Sequence, residues 1–252
     1  MPDSPRHLSR TICGDAKGAL RLSHYPAGGR QERHFHDHAQ ISFLLAGEIE
    51  ERIGLRRHEP LAGFACVKPA GTDHEDRWGR RGALMLSLRL PALEANGPAV
   101  PMGTWGPANS RAVASILSAA LAGGGSMPAD LIAADLLACI GAEPPPRRRP
   151  PAWLSRIREA ALDPDFSITA AAAQAGVHRV HLSRAFAACY GLPLGVYRQQ
   201  MRIAAAVGAT VRGDEPLAGV ACSAGFADQS HMSRALRAAT GTSPGRLRRL
   251  FT

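Results

Sequence analysis

Lysine is almost missing from this sequence. Of 30 basic residues in 252, only Lys17 and Lys68 are lysine. A charge carried by arginine is partly compositional bias, so the net +9 names no partner by its size and informs only through its placement. Aromatic residues are also scarce, at 5%, which leaves the cores to alanine and small aliphatics. The five cysteines (13, 66, 139, 189, 222) show no C-x-x-C spacing and are odd in number. That fits buried thiols in a reducing cytosol better than a zinc ribbon or a disulfide framework. No apolar run approaches the ~20 residues that span a bilayer, and "MPDSPRHLSR" lacks the apolar stretch of a signal peptide. The expectation is a soluble, cytoplasmic protein with no membrane partner.

The charge that is present is lopsided. Residues 1–146 carry 15 basic and 15 acidic side chains, whereas residues 147–252 carry 15 basic and 6 acidic. All of the excess positive charge therefore lies in the last two-fifths of the chain. Such asymmetry points to a half that binds a polyanion, against the plainer reading of a solvated basic surface.

The segment "GAEPPPRRRPPAW" at 141–153 divides the chain. Five prolines and three adjacent arginines cannot enter a core, and they favour an extended spacer. The domains read as 1–142, a linker at 143–152, and 153–252. Before the spacer, residues 19–90 read as short strands. "ISFLLAGEIEERIG" holds two β-rich stretches joined through Ala46-Gly47-Glu48, "FACVKPAGTDH" is a strand ending in a Pro-x-Gly turn, and "ALMLSLRL" is another strand. Between 107 and 142 the period changes. Val113, Ile116, Leu117 and Leu121, then Leu131, Leu136, Leu137 and Ile140, mark two amphipathic helices separated by "GGGSMP". These helices serve either to cover the strands or to pair two copies of the chain.

After the spacer the chain is helical, and it repeats itself. "HLSRAF" at 181–186 returns as "HMSRAL" at 231–236. At the same offset Gly191 matches Gly241, Gly195 matches Gly245 and Arg198 matches Arg248. Each copy begins with an Ala-rich helix, at about 168–175 and 217–223. That helix ends at Ala-Gly, where glycine supplies the positive φ of a C-cap. A second helix follows, with Leu182 and Phe186, or Met232 and Leu236, on its buried stripe. It stops at Tyr190-Gly191 or Thr240-Gly241. Helix, turn and helix, used twice, make tandem helix-turn-helix units whose second helices can enter a major groove. Between them, residues 194–211 should form a helix with Tyr197, Met201 and Ala204 on one face. Its ~27 Å is comparable to the ~34 Å of one DNA turn.

"VHRVHLSRAFAACYGLPLGVYRQQMRIAAA" and "LAGVACSAGFADQSHMSRALRAATGTSPGRLR" together resemble the DNA-binding domain of AraC/XylS-type transcriptional regulators, over about residues 150–250. Gly225-Phe226, Gln229-Ser230, Ser233-Arg234, Gly241 and Ser243-Pro244 carry the most specific part of the likeness. It departs at His178, where the family commonly has a serine N-cap, so a frayed helix is expected there. Ala227 is a poor cap for the second copy, with Asp228 available instead. The solvent-side positions are Arg179, Val180, Ser183 and Arg184 on the first reading helix, and Gln229, Ser230, Ser233 and Arg234 on the second. Arginine suits guanine and glutamine suits adenine, while Arg184 and Arg234 equally suit phosphates. Arg198 and Arg202 on the linker helix read as phosphate contacts. His181 and His231 read as packed, structural histidines.

The front half carries a second constellation, "GGRQERHFHDHAQISFLLAG". Its spacing from Gly28 to His34, His36, Gln40 and Gly47, and later from Gly63 to Pro69, Gly71 and His74, resembles the two cupin motifs. Gln40 stands where a glutamate ligand is usual, and Trp78 where an asparagine is usual. AraC-type regulators often carry such a barrel as the effector-binding half. On a strand, His34 and His36 face one side, and His74 can converge on them from a turn. With Gln40 they make either a divalent-metal site or a polar pocket that binds an effector without metal. His38 and Asp37 read as surface residues.

The expected fold is therefore α+β in two domains: an N-terminal cupin-like β-barrel with two following helices, and a C-terminal all-α tandem helix-turn-helix domain. The expected function is a sequence-specific transcriptional regulator that responds to a small molecule or metal ion and has no enzymatic activity. The resemblance implies double-stranded operator or promoter DNA, a small-molecule effector, a homodimer partner and RNA polymerase as partners, and an activator as the outcome. Two rivals remain: a cupin enzyme such as a dioxygenase with an auxiliary tail, and a non-specific nucleoid-type binder. Gln229 argues against the second, because a purely electrostatic binder needs no base-reading amide.

Overall fold

The computed structural model describes residues 7–91, 102–124, 127–141, 149–163, 165–213 and 215–252. Eight strands form one sheet: β1 (Leu8–Asp15), β2 (Gly18–Tyr25), β3 (Arg30–His34), β4 (Ala39–Ile53), β5 (Arg56–His58), β6 (Phe64–Lys68), β7 (His74–Leu90) and β8 (Trp105–Pro107). The strand order is β1-β2-β7-β4-β6-β8, with β3 on β7 and β5 on β4. Every strand pair is antiparallel. The sequence reading is borne out in its architecture: an antiparallel sheet, two following helices, and a helical tail.

β4 and β7 are the spine of the sheet. They pair from Ala39↔Leu90 at one end to Ile53↔His74 at the other, with register shifts between Leu44 and Ala46 and between Gly47 and Ile49. The Ala46-Gly47-Glu48 joint is thus a bulge inside one long strand, where the sequence led us to expect a break between two. Glycine is required there. Gly47 has φ +88, and a Cβ on it would fall 2.0 Å from the Gly82 carbonyl oxygen. Gly82, also at positive φ, lets β7 continue back through "HEDRWGRR", which charge alone reads as loop. Bulges bend a strand and increase its twist, which allows the sheet to curl around an interior.

Side-chain alternation then sorts the two faces. Leu20 and Leu22 of β2, Ile41 and Phe43 of β4, and Leu86 and Leu88 of β7 point outward into the main core. Their neighbours Arg21, Ser23, Ser87 and Arg89 point inward and line a cavity. The outer face is covered by α1 (Ser110–Ala122) and α2 (Ala129–Ala138), through Val113, Leu117, Ile132 and Leu136, each 1% exposed or less. Leu131, expected on that stripe, is 62% exposed. The buried row runs through Ala129, Ile132, Ala133 and Leu136 instead, and Ile140 falls beyond the helix end.

The tail contains α3 (Ala152–Ala160), α4 (Ile168–Gln174), α5 (Arg179–Tyr190), α6 (Leu194–Arg212), α7 (Leu217–Ser223), α8 (Gln229–Thr240) and α9 (Pro244–Phe251). The chain gathers into two compact units, Met1–Pro144 with Ile203–Thr252, and Pro145–Arg202. In the first unit the apolar residues of α7, α8 and α9, including Val220, Met232, Leu236 and Phe251, together with Phe226 of the turn after α7, belong to the same core cluster as the outer face of the sheet. In the second, Leu154, Leu182, Phe186, Tyr197 and Met201 are buried. Of the spacer expected at 143–152, positions 143–148 lie outside the described residues.

Candidate nucleic-acid interface and interior cavity

The two repeats are closed by the same backbone chemistry. In the first, Gly176 N–H donates to Ala173 O and Val177 N–H to Ala172 O. In the second, Gly225 N–H donates to Cys222 O and Phe226 N–H to Ala221 O. Gly176 (φ +65) and Gly225 (φ +78) are both left-handed. The pattern satisfies the orphan carbonyls of each leading helix and turns the chain sharply. Each reading helix then ends at another left-handed glycine, Gly191 or Gly241. The buried stripes match expectation: Leu182, Phe186, Met232 and Leu236 are fully buried.

Both reading helices are capped. Asp228 accepts from His231 N–H at 2.7 Å. His178 Nδ1 accepts from Val180 N–H at 3.3 Å, so an imidazole replaces the missing serine and the frayed start expected of α5 is corrected. Arg179, Val180, Ser183 and Arg184 are exposed on α5, and Gln229, Ser230 and Arg234 on α8, with Ser233 half-buried. His231 packs edge-on against Phe226, 5.2 Å between ring centres. His181 is exposed beside Trp153, so only His231 is packed as expected.

Arg198 departs from its expected role. Its Nε donates to Ala161 O at 3.2 Å, its Nη2 to Asp163 O at 3.1 Å and its Nη1 to Phe166 O at 3.5 Å, and the guanidinium lies over the Phe166 ring. A guanidinium committed to three carbonyls is unavailable to a phosphate.

Inside the sheet, the three predicted histidines converge. Ring centres lie 4.3 Å apart for His34–His74, 5.0 Å for His34–His36 and 5.3 Å for His36–His74. One nitrogen from each lies within 4.8 Å of the others. His34 Nδ1 is 2.7 Å from Glu32 O, and His74 Nδ1 is 2.9 Å from Thr72 O. A carbonyl only accepts, so each Nδ1 carries the proton and each Nε2 presents its lone pair. Burial, together with the neighbouring imidazoles, lowers His36 to about 4. Burial, with Lys68 nearby, does the same for His74. Both are neutral near pH 7, the state a metal ligand requires. Gln40 lines the same cavity, with its amide donating to Ser42 Oγ at 2.6 Å. The donor set fits a divalent ion. His38 stacks on His36 at 5.1 Å and pairs with Asp37, so His38 is less of a bystander than its sequence position implies.

Sequence reasoning missed a charged cluster on the same inner face. Lys68 Nζ and Trp105 Nε1 both donate to Glu51, and Lys68 and Glu51 are almost wholly buried. Burial opposes the Glu51 charge, but Lys68 and Trp105 hold the carboxyl ionised. Asp76, hydrogen-bonded to Glu51, is pushed well above its usual value by burial and by that neighbouring charge. Its Oδ1 has no hydrogen-bond partner among the described residues. The available signal was parity: Glu51, Lys68 and Asp76 each occupy an inward position in a strand whose alternate residues are buried.

Among the described residues, no helix is long and apolar enough to cross a membrane. No curated protein matches the chain. Similar solved structures include KdgF from Halomonas sp. (19% identity, TM-score 0.34, covering 37% of this chain and 88% of that one). A cupin superfamily protein from Desulfitobacterium hafniense DCB-2 is also similar (14% identity, TM-score 0.32, covering 36% and 82%). So is the C-terminal domain of AraT, a response regulator from Geobacillus stearothermophilus (24% identity, TM-score 0.37, covering 40% and 88%). A family model described as a helix-turn-helix domain matches residues 154–250. That span contains both capped reading helices, so the match falls on the duplicated tail.

Proposed function

We propose that the protein is a ligand-responsive, sequence-specific transcriptional regulator, in which residues 1–142 sense an effector and residues 153–252 read an operator with α5 and α8. The observation that carries this reading is the duplicated helix-turn-helix whose exposed helix faces hold Arg179, Ser183 and Arg184, and Gln229, Ser230 and Arg234. These side chains pair with base edges or phosphates, and the unbroken α6 is the spacer between them. A homodimer that presents RNA polymerase with a promoter-bound surface completes the proposal.

Coupling runs through the first compact unit. The strands whose inner faces hold Arg21, Gln40 and Arg89 place Leu20, Ile41 and Leu88 on their outer faces, in the core that also contains Met232 and Leu236 of α8. Packed cores do not deform continuously, so a ligand that draws β2, β4 and β7 together shifts the seat of the second reading helix. His34, His36 and His74, with Gln40 beside them, would hold a divalent metal. A bound metal supplies Lewis acidity or a ligand anchor in the cavity.

The test is a gel-shift titration against DNA from upstream of the gene, with scrambled duplex as competitor at fixed salt. The reading expects selectivity of about 10³-fold or more for the native site. Equal affinity for both duplexes would return the protein to the nucleoid-type class. Turnover of a small substrate by the iron-loaded protein would favour the enzyme.

A further inference from the structure

The inner face of the sheet is unusually polar for a protein interior, and its polar groups are distributed unevenly. At one end of the cavity stand three groups that carry or can carry positive charge. Arg21 on β2 and Arg89 on β7 lie diagonally across neighbouring strands, since Arg21 pairs with Ser87, and His7 borders the same space. Arg21 spends its Nε and one Nη on the neutral Ser9 Oγ. Arg89 has no hydrogen-bond or ion-pair acceptor among the described residues. Burial lowers Arg89, and Arg21 lowers it further. His7 is lowered by burial and then by both guanidiniums. Tyr25 and Asp37 act on Arg89 in the opposite sense, but neither forms an ion pair with it among the described residues, and like charges facing one another in a half-buried space are a cost in the folded chain alone.

Asp76, on the same cavity wall, shows the complementary deficit. Asp76 is 4% exposed, and its Oδ1, an acceptor, meets no donor among the described residues. An orphaned buried acceptor on a cavity wall calls for a donor from whatever fills the cavity. Gln40, Ser87 and the stacked Tyr25–Trp78 pair, 3.8 Å between ring centres, line the same cavity. The space is small, about 130 Å³.

Resting on the sensor reading above, we infer that the effector is a small hydroxy- or amino-carboxylate, its carboxylate held between Arg21 and Arg89 and its O–H or N–H donor directed at Asp76. Guanidinium forks match a carboxylate in geometry as well as charge. Arg21 and Arg89 are close enough to repel one another, and an anion between them removes that repulsion.

The experiment uses the full chain in carboxylate-free, phosphate-free buffer and follows its unfolding temperature. The probes are glycolate, D- and L-lactate, 3-hydroxybutyrate, glycine and β-alanine. Controls are their neutral amides, the deoxy parents acetate, propionate and butyrate, inorganic phosphate, and zinc alone. At least one hydroxy- or amino-carboxylate should raise the midpoint, its amide should not, and its deoxy parent should do so less. Arg89→Gln should weaken that ligand by about tenfold or more. Arg89 makes no hydrogen bond or ion pair among the described residues, so this variant should fold. Silence across the acids, equal shifts from the amides, an equal shift from phosphate, or an undiminished response in Arg89→Gln would each overturn the inference. Operator binding is measured on the same wild-type samples. Selective DNA binding with no response to the acids sinks this inference and spares the regulator, whereas loss of selectivity sinks the regulator itself.

Discussion

Arg198 and Arg248, fifty positions apart, do the same job in the two repeats. Each sits on the helix that follows a reading helix and turns its guanidinium onto backbone carbonyls upstream of the leading helix, in the loop before it or in the last turns of the helix before that loop. Arg198 takes Ala161, Asp163 and Phe166, and Arg248 takes Thr210 and Glu215. The repeat thus conserves an internal clamp as well as an exposed reading face.

Removing either clamp leaves carbonyls without a charged donor. Arg198→Ala and Arg248→Ala should each cost about 1–3 kcal/mol, read as a lowered unfolding midpoint. Arg202→Ala should leave that midpoint in place and reduce the slope of log affinity against log salt by about 1. A salt slope that falls equally in Arg198→Ala would return Arg198 to the phosphate.

The reading face of α8 gives a second prediction. Gln229→Ala should relax the base preference at one operator position, by about 1–3 kcal/mol of discrimination, seen in a selected-sequence profile. Arg234→Ala should weaken operator binding in a gel shift. An unchanged profile and unchanged affinity would move the reading surface elsewhere.

Gly241 ends α8 at φ +67, and a Cβ there would fall 1.9 Å from the Ala114 carbonyl oxygen of α1. Gly241→Ala should therefore cost about 2 kcal/mol or more. Gly195→Ala, with open space around its Cβ, is the control. Gly176→Ala, at φ +65 with open space around its Cβ, isolates the backbone strain, and thermal melts of the three variants separate that strain from the close approach.

His24 faces α6, where burial and then Arg212 lower it to about 4. Its unfolded value is about 6.5, so between pH 6.5 and 4 the unfolded chain binds the additional proton. Stability contributed by keeping this ring neutral is present above pH 6.5 and is lost as pH falls toward 4. Melting midpoints measured from pH 7.5 to 4.5 should fall, and His24→Gln should flatten part of that slope.

The histidine site is tested by its metal. Protein loaded with zinc and desalted should retain close to one equivalent by elemental analysis, and His34→Ala with His74→Ala should retain none. Retention by the double variant would place the metal elsewhere.

The tail was legible because its grammar is local. The glycines at 176, 191, 225 and 241, the i, i+4 apolar pairs and the cap at Asp228 each act within a few residues of themselves. The strands were legible where apolar residues cluster and opaque where they do not. Nothing local shows that Gly47 and Gly82 let two long strands pass closely, so β4 reads as two strands and only the apolar second half of β7 reads as a strand. The histidine convergence came through a spacing resemblance. The Lys68–Glu51–Asp76 cluster did not, because each charge looks like surface until three strands are laid side by side. Arg198 was misread for a related reason: an arginine that holds carbonyls and one that holds phosphate are the same letter.

The core shared by α8 and the outer face of the sheet limits how this molecule can be taken apart. Met232, Leu236 and Phe251 lie against a wall that another stretch of chain supplies, so the last fifty residues are not a cassette that transplants onto a foreign sensor. Grafting them elsewhere would require a host whose own surface reproduces the parts of α1, β1 and β4 on which α8 and α9 rest.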